Sequence, residues 1–147
     1  VIITGGTGLI GRALAESLAT DRHDVIVLTR SPEKAILPAG VRAERWDGRT
    51  ASGWGALADG ADGVLICGCH PGDCHYSEGN YKTMRRYPAL KRLLKDFGVE
   101  EERVRLEWVS ASEGQRFADI VADMTARLRA LGPCRVKTAL QTDQLER

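Results

Sequence analysis

Gly5, Gly6, Gly8 and Gly11 punctuate the opening stretch VIITGGTGLIGRALAESLAT, and no other feature restricts the fold so tightly. Val1, Ile2 and Ile3 form a short β-branched run of the kind buried in a sheet covered on both faces. The glycines after it permit backbone torsions and close approaches that a Cβ forbids. Ile10, Leu14 and Leu18, with Ala13 and Ala15 beside them, then give an apolar stripe at helical spacing. A strand that feeds a helix through such a turn aims free N–H groups and the positive end of the helix dipole at one spot. That spot suits a pyrophosphate, so the stretch predicts a dinucleotide-type βα unit.

The chain has 147 residues, enough for one domain with a true core. Lys and Arg number 21 against 20 Asp and Glu, and this balance calls for neither nucleic acid nor an anionic membrane as partner. No apolar run approaches the ~20 residues of a membrane span, and no basic-then-apolar leader is visible, so the expectation is a soluble cytoplasmic protein. The first residue is Val, and the chain is expected to be trimmed at its start.

Asp24 to Thr29 predicts a second buried strand, followed by Arg30, Ser31 and Lys34. An acidic residue at the end of that strand would bind a ribose 2′-OH. Thr29 and Arg30 stand there instead, and a guanidinium pairs with the 2′-phosphate of NADP. Solvated surface arginine is the alternative. Val41 to Arg45 predicts a third strand, Trp54 to Ala61 a short helix or helical turn, and Asp62 to Ile66 a fourth strand.

Cys67, Cys69 and Cys74 lie within eight residues of one another, beside His70 and His75, with Cys134 distant. A secreted disulfide scaffold spreads its cysteines more evenly, so this crowding points to ligand or redox chemistry in a reducing compartment. Pro71 and Gly72 favour a tight turn between Cys69 and Cys74. Thiolates at such a turn suit iron–sulfur clusters, and thiolate with imidazole suits zinc. Orphaned thiols without a ligand are the plain alternative.

Tyr81 to Phe97 predicts a helix that Pro88 starts, kinks or interrupts, with Gly98 at its C-cap. Val104 to Val109 alternates as a strand. Ser110 to Glu113 fits a capping box, and the helix it opens ends near Gly132-Pro133. The tail from Cys134 to Arg147 is expected to be loose or weakly helical. Tyr87 and Lys91 have the Tyr-x-x-x-Lys spacing of a reductase pair, which is read here as coincidence, and no catalytic residue is assigned.

Two family resemblances meet in this chain. The words ITGGTGLIGRALAESL, VIVLTRSPEKA and VRAERWDGRTASGWGALADGAD resemble the sugar-nucleotide epimerase-like branch of the extended short-chain dehydrogenase/reductases, over residues 1–61. That resemblance implies that the loop Gly5, Gly6, Thr7, Gly8, Leu9, Ile10 and Gly11 binds the phosphates of NADP, that Arg30 meets the 2′-phosphate, and that Asp47 lies at the adenine end. Residues 60–133 resemble the delta subunit of methyl-viologen-reducing hydrogenase, an iron–sulfur electron carrier, in GADGVLICGCHPGDCHYSEGNYKTMRR, LKRLLKDFGVEEERVRLEWVSASEGQRFADIV and LRALGP. It implies Cys69 and Cys74 as cluster ligands, with Cys67 a third thiol. That family carries further cysteines in its N-terminal half, where this chain has none. Four ligands for a [2Fe–2S] cluster would therefore need Cys67 and Cys134, or a homodimer sharing the cluster.

The expected fold is a single α/β domain: a three-layer sandwich with a Rossmann-like, mainly parallel sheet of about five strands in the order 3-2-1-4-5. The leading functional expectation is an electron-transfer component passing electrons between a metal centre and a partner flavoprotein of the hydrogenase or heterodisulfide reductase type. The alternatives are a non-catalytic NADP-binding module and a folded hybrid without evolved activity.

Overall fold

The computed structural model describes residues 1–74 and 77–135. The chain forms two compact units that divide between Asp59 and Gly60. Each strand pairing is parallel, yet the described strands build two sheets rather than the single five-stranded sheet expected. One contains three strands in the order β1-β2-β3, and the other pairs β4 with β5. Among the described residues β4 has no second ladder partner, and β1, three residues long, has only β2.

In the first unit, β1 (Ile2–Thr4), β2 (Val25–Thr29) and β3 (Val41–Arg45) lie in register, with Ile3 beside Val27 and Val27 beside Ala43. Helix α1 (Leu9–Thr20) packs Ala15 onto Ile3, Val25 and Val27, with Leu14 and Leu18 at the margin. Each fully buried Val or Ile contributes about 1.5–3 kcal/mol. This core is why the glycines are needed. A Cβ on Gly6 would come within 2.5 Å of the Val27 side chain, so the loop rests directly on β2. A Cβ on Gly11 would lie 2.7 Å from Gly6 Cα and closer still to the Gly5 carbonyl oxygen. Gly5 itself has φ +72°, a conformation that favours glycine. Helix α1 stops at a left-handed residue that is not glycine: Arg22 has φ 63°, and the amides of Arg22 and His23 donate to the carbonyls of Ala19 and Leu18.

The second unit runs β4 (Val64–Gly68), α2 (Gly79–Asp96), β5 (Val104–Trp108) and α3 (Gly114–Leu131). β4 begins two residues later than the sequence predicts. Asp62 and Gly63 are occupied otherwise: the Asp62 carbonyl accepts from Arg103, and Gly63 lies under Leu128 with no room for a Cβ. The strand instead continues through Cys67 and Gly68, whose carbonyl accepts from Val109 N–H. Helix α2 passes through Pro88 without stopping. It ends in a Schellman motif, with Gly98 at φ +78° and the amides of Gly98 and Val99 on the carbonyls of Lys95 and Leu94. The short helix or helical turn expected after Trp54 is a 3-10 turn over Gly55–Ala58. The tail from residue 136 lies outside the described residues. No helix among the described residues is long and apolar enough to cross a membrane.

Arg103 is the most buried large side chain of the second unit, at 1 % exposure. Its guanidinium donates to the carbonyls of Asp62, Gly132 and Pro133 and forms an ion pair with Glu100 at 2.7 Å. It therefore ties the entry to β4, the exit of α3 and the turn before β5 into one knot. Replacing Arg103 with Met leaves those carbonyls without their donor. The expected loss is roughly 2–4 kcal/mol, read as a lower urea midpoint with an unchanged slope.

Candidate functional site

The chemistry-bearing side chains of the second unit gather where β4 and β5 end. Parallel strands put both of their C-terminal ends on one rim, so the loop after β4 and the loop after β5 meet there. Cys67 is on β4, Cys69 follows the strand, and residues 70–74 form the turn. Gly72, at φ +101°, and the bond from Asp73 N–H to the His70 carbonyl close that turn. Cys74 comes next, and the space beside its sulfur exists because residue 79 is glycine: a Cβ there would approach Sγ to 3.3 Å. Residue 79 is the first of α2, so this thiol adjoins the positive end of that helix.

Two side chains clamp the turn. Asn80, 5 % exposed, donates its amide hydrogens to the carbonyls of Cys69 at 3.3 Å and His70 at 2.7 Å. Glu113 Oε2 accepts from Ser110 N–H at 2.7 Å and meets His70 Nε2 at 2.7 Å. His70 is thus held at its backbone by α2 and at its ring by the loop before α3. Glu113 forms only one half of the expected capping box. Its carboxylate takes the Ser110 amide, but Ser110 Oγ pairs with Ser112 Oγ, and α3 starts at Gly114.

Charged groups continue along this face. Glu113 pairs with Arg116, Arg116 with Glu107, and Glu107 with Arg105, which also pairs with Asp123. Cys67 lies beside Glu107 across the ladder. Partial desolvation first, then the Glu107 carboxylate, push the Cys67 thiol above its ordinary value, with Arg105 opposing. This burial beside a carboxylate disfavours the thiolate at Cys67. No disulfide joins any of the four cysteines. Among the described residues no three His, Cys, Asp or Glu side chains converge as a metal site, and His75 lies outside those residues. The donors match an iron–sulfur cluster in kind, being thiols at a tight turn, but fall short of it in number.

In the first unit, Gly8 caps α1 without a side chain, and its N–H donates to the Gly5 carbonyl at 3.0 Å. Thr7 and Leu9 are exposed, and Ile10 is half-buried. Arg30 is exposed, and its carbonyl accepts from Arg45. Asp47, expected near an adenine, uses its carboxylate on its own turn, accepting from the amides of Arg49 and Thr50 and from the Thr50 hydroxyl. Tyr87 and Lys91 are likewise engaged in structure: Tyr87 OH donates to the Val104 carbonyl, and Lys91 pairs with Glu101.

The fold and site define a class: a parallel α/β unit carrying a clamped, cysteine-bearing turn at its sheet rim. Residues 54–132 match the family described as methyl-viologen-reducing hydrogenase, delta subunit, and the chain belongs to that family. It is 58 % identical over 78 residues to an iron-sulfur subunit of the F420-non-reducing hydrogenase of Archaeoglobus profundus, covering 53 % of this chain and 57 % of that protein. It is 52 % identical over 82 residues to the vhc iron-sulfur subunit of the F420-non-reducing hydrogenase of Methanococcus voltae, covering 56 % of this chain and 57 % of the relative. It is also 41 % identical over 78 residues to one subunit of the ferredoxin:CoB-CoM heterodisulfide reductase of Methanosarcina mazei, covering 53 % of this chain and 10 % of that protein. The chain thus spans just over half the length of the hydrogenase subunits it matches.

Two measurements probe this site. Glu113 is held at about 2, from an ordinary 4.5, by the Ser110 amide and then by His70, and Glu100 is held at about 2 by Arg103. A depressed carboxylate contributes fully above its unfolded value and loses that contribution as pH falls toward its folded value. The melting temperature should therefore fall between about pH 4.5 and pH 2, and Glu113→Gln should flatten part of that fall. In iodoacetamide labelling followed by mass spectrometry, Cys67 should react slowly near neutral pH, and Glu107→Gln should speed it.

Proposed function

We propose that this chain is an electron-transfer subunit of an oxidoreductase complex of the hydrogenase or heterodisulfide reductase kind. One observation carries the reading: the segment that places the chain in its family contains the turn from Cys69 to Cys74, and Asn80 and Glu113 hold that turn from two sides. In this proposal Cys67, Cys69 and Cys74 are the chain's thiol donors to an iron–sulfur cluster, of [2Fe–2S] type. The remaining donor comes from Cys134, a second copy of the chain or a partner. When bound, such a cluster supplies one-electron carriage. The chain's own residues fix the turn, hold the His70 ring and keep space open beside Cys74. The proposed partner is a flavoprotein.

Anaerobic reconstitution with iron and sulfide, with iron, labile sulfide and visible absorption measured, tests the reading. Iron and a visible band should appear, and Cys69→Ser or Cys74→Ser should remove most of both. A colourless, metal-free protein, alone and with the flavoprotein present, would sink it.

The glycine loop favours a second reading of the first unit. Gly5 and Gly11 let the loop and α1 approach as in a phosphate-binding turn, and the first turn of α1 carries no side-chain cap. In this reading Gly5, Gly6, Thr7, Gly8, Leu9, Ile10 and Gly11 hold NADP phosphates, and Arg30 holds the 2′-phosphate. NADPH titration should then give saturable fluorescence enhancement that Arg30→Ala weakens. An absence of saturation rejects this reading without touching the first.

A further inference from the structure

Helix α2 leaves apolar side chains in solvent at regular spacing. Leu90, Leu93 and the C-cap residue Phe97 follow a 3-4 spacing along one face, with Arg86 one turn before Leu90, and the exposures are 53 % at Leu93 and 66 % at Phe97. Leu90 and Arg86 also border a groove of about 280 Å³ that reaches Ile66 on β4. Among the described residues this strand has no ladder partner but β5. The stripe and the groove form one surface, partly apolar and partly cut into the unit.

Charge decides what fits there. Helix α2 carries six cationic side chains and a single anionic one, Asp96. Lys82, Lys91 and Lys95 have carboxylate partners in Glu78 and Glu101. Arg85, Arg86 and Arg92 have no ion-pair partner among the described residues and are exposed. Two copies facing each other through this helix would set like charges together, which disfavours self-association. A lipid surface would meet the cations too, so binding to vesicles is what separates it from a protein partner.

We propose that the α2 face is a docking surface for an acidic amphipathic helix of a partner protein. Its apolar side chains would meet Leu90, Leu93 and Phe97, and flanking carboxylates would meet Arg86 and its neighbours. This rests on the reading of the chain as part of a larger complex, but its test needs no iron, so the two can fail separately.

The test uses the full chain and two labelled synthetic peptides with leucine at heptad a and d positions, one with glutamate and one with lysine at e and g. By fluorescence anisotropy the glutamate peptide should bind saturably and weaken with added salt. Leu93→Glu and Arg86→Glu should each weaken it roughly tenfold or more, with unchanged circular dichroism. Equal binding of both peptides, or binding of neither, overturns the proposal. So does preferential binding to phosphatidylglycerol vesicles, or a sedimentation-defined dimer that Leu93→Glu abolishes.

Discussion

The second unit depends on one buried cation. Arg103 draws three backbone carbonyls from distant parts of the sequence onto a single guanidinium, with Glu100 balancing its charge. A buried guanidinium is tolerated only when its donors are satisfied. Here the partners include the exit of α3, where the exposed carbonyl ends of a helix favour a positive charge. With entry and exit tied at one end of the β4–β5 ladder, the opposite rim is free to carry loops, and the cysteines lie there.

Those loops are organised by backbone capture more than by side-chain packing. Asn80 satisfies two carbonyls of the cysteine turn from the first turn of α2, and Glu113 reaches the same turn from the other side. A buried amide with its hydrogens on the backbone fixes a loop without adding charge near the thiols. The carboxylate lies one residue further out, on His70. The thiols therefore differ in surroundings: Cys67 faces Glu107 on the sheet, whereas Cys74 adjoins the start of a helix.

Much of the secondary structure was legible in the sequence because periodicity and glycine placement carry local information. The β2 and β3 strands, the α2 stop at Gly98 and the glycine turn before α1 all follow from patterns a few residues long. The left-handed residue after α1 was not legible, since Arg22 occupies a conformation that usually signals glycine. Nor was the division into two sheets, because ladder partners are set by contacts far apart in the chain. At the site, crowding of Cys67, Cys69 and Cys74 marked the turn. Its clamps went unseen: Asn80 stands just before the predicted helix start at Tyr81 with nothing to tie it to Cys69 or His70, and the His70–Glu113 pair spans 43 positions. Glu113 did carry a signal, the capping-box spacing, which showed its local role and hid its distant one.

The His70–Glu113 contact makes the two rim loops one mechanical part. Glu113 holds the Ser110 amide and the His70 ring on the same oxygen, so the segment after β5 is connected by hydrogen bonds to the turn between Cys69 and Cys74. The two bonds share one oxygen, so the Ser110 amide and the imidazole follow the same carboxylate. The thiol turn is thereby exposed to whatever leans on a loop that carries no cysteine at all.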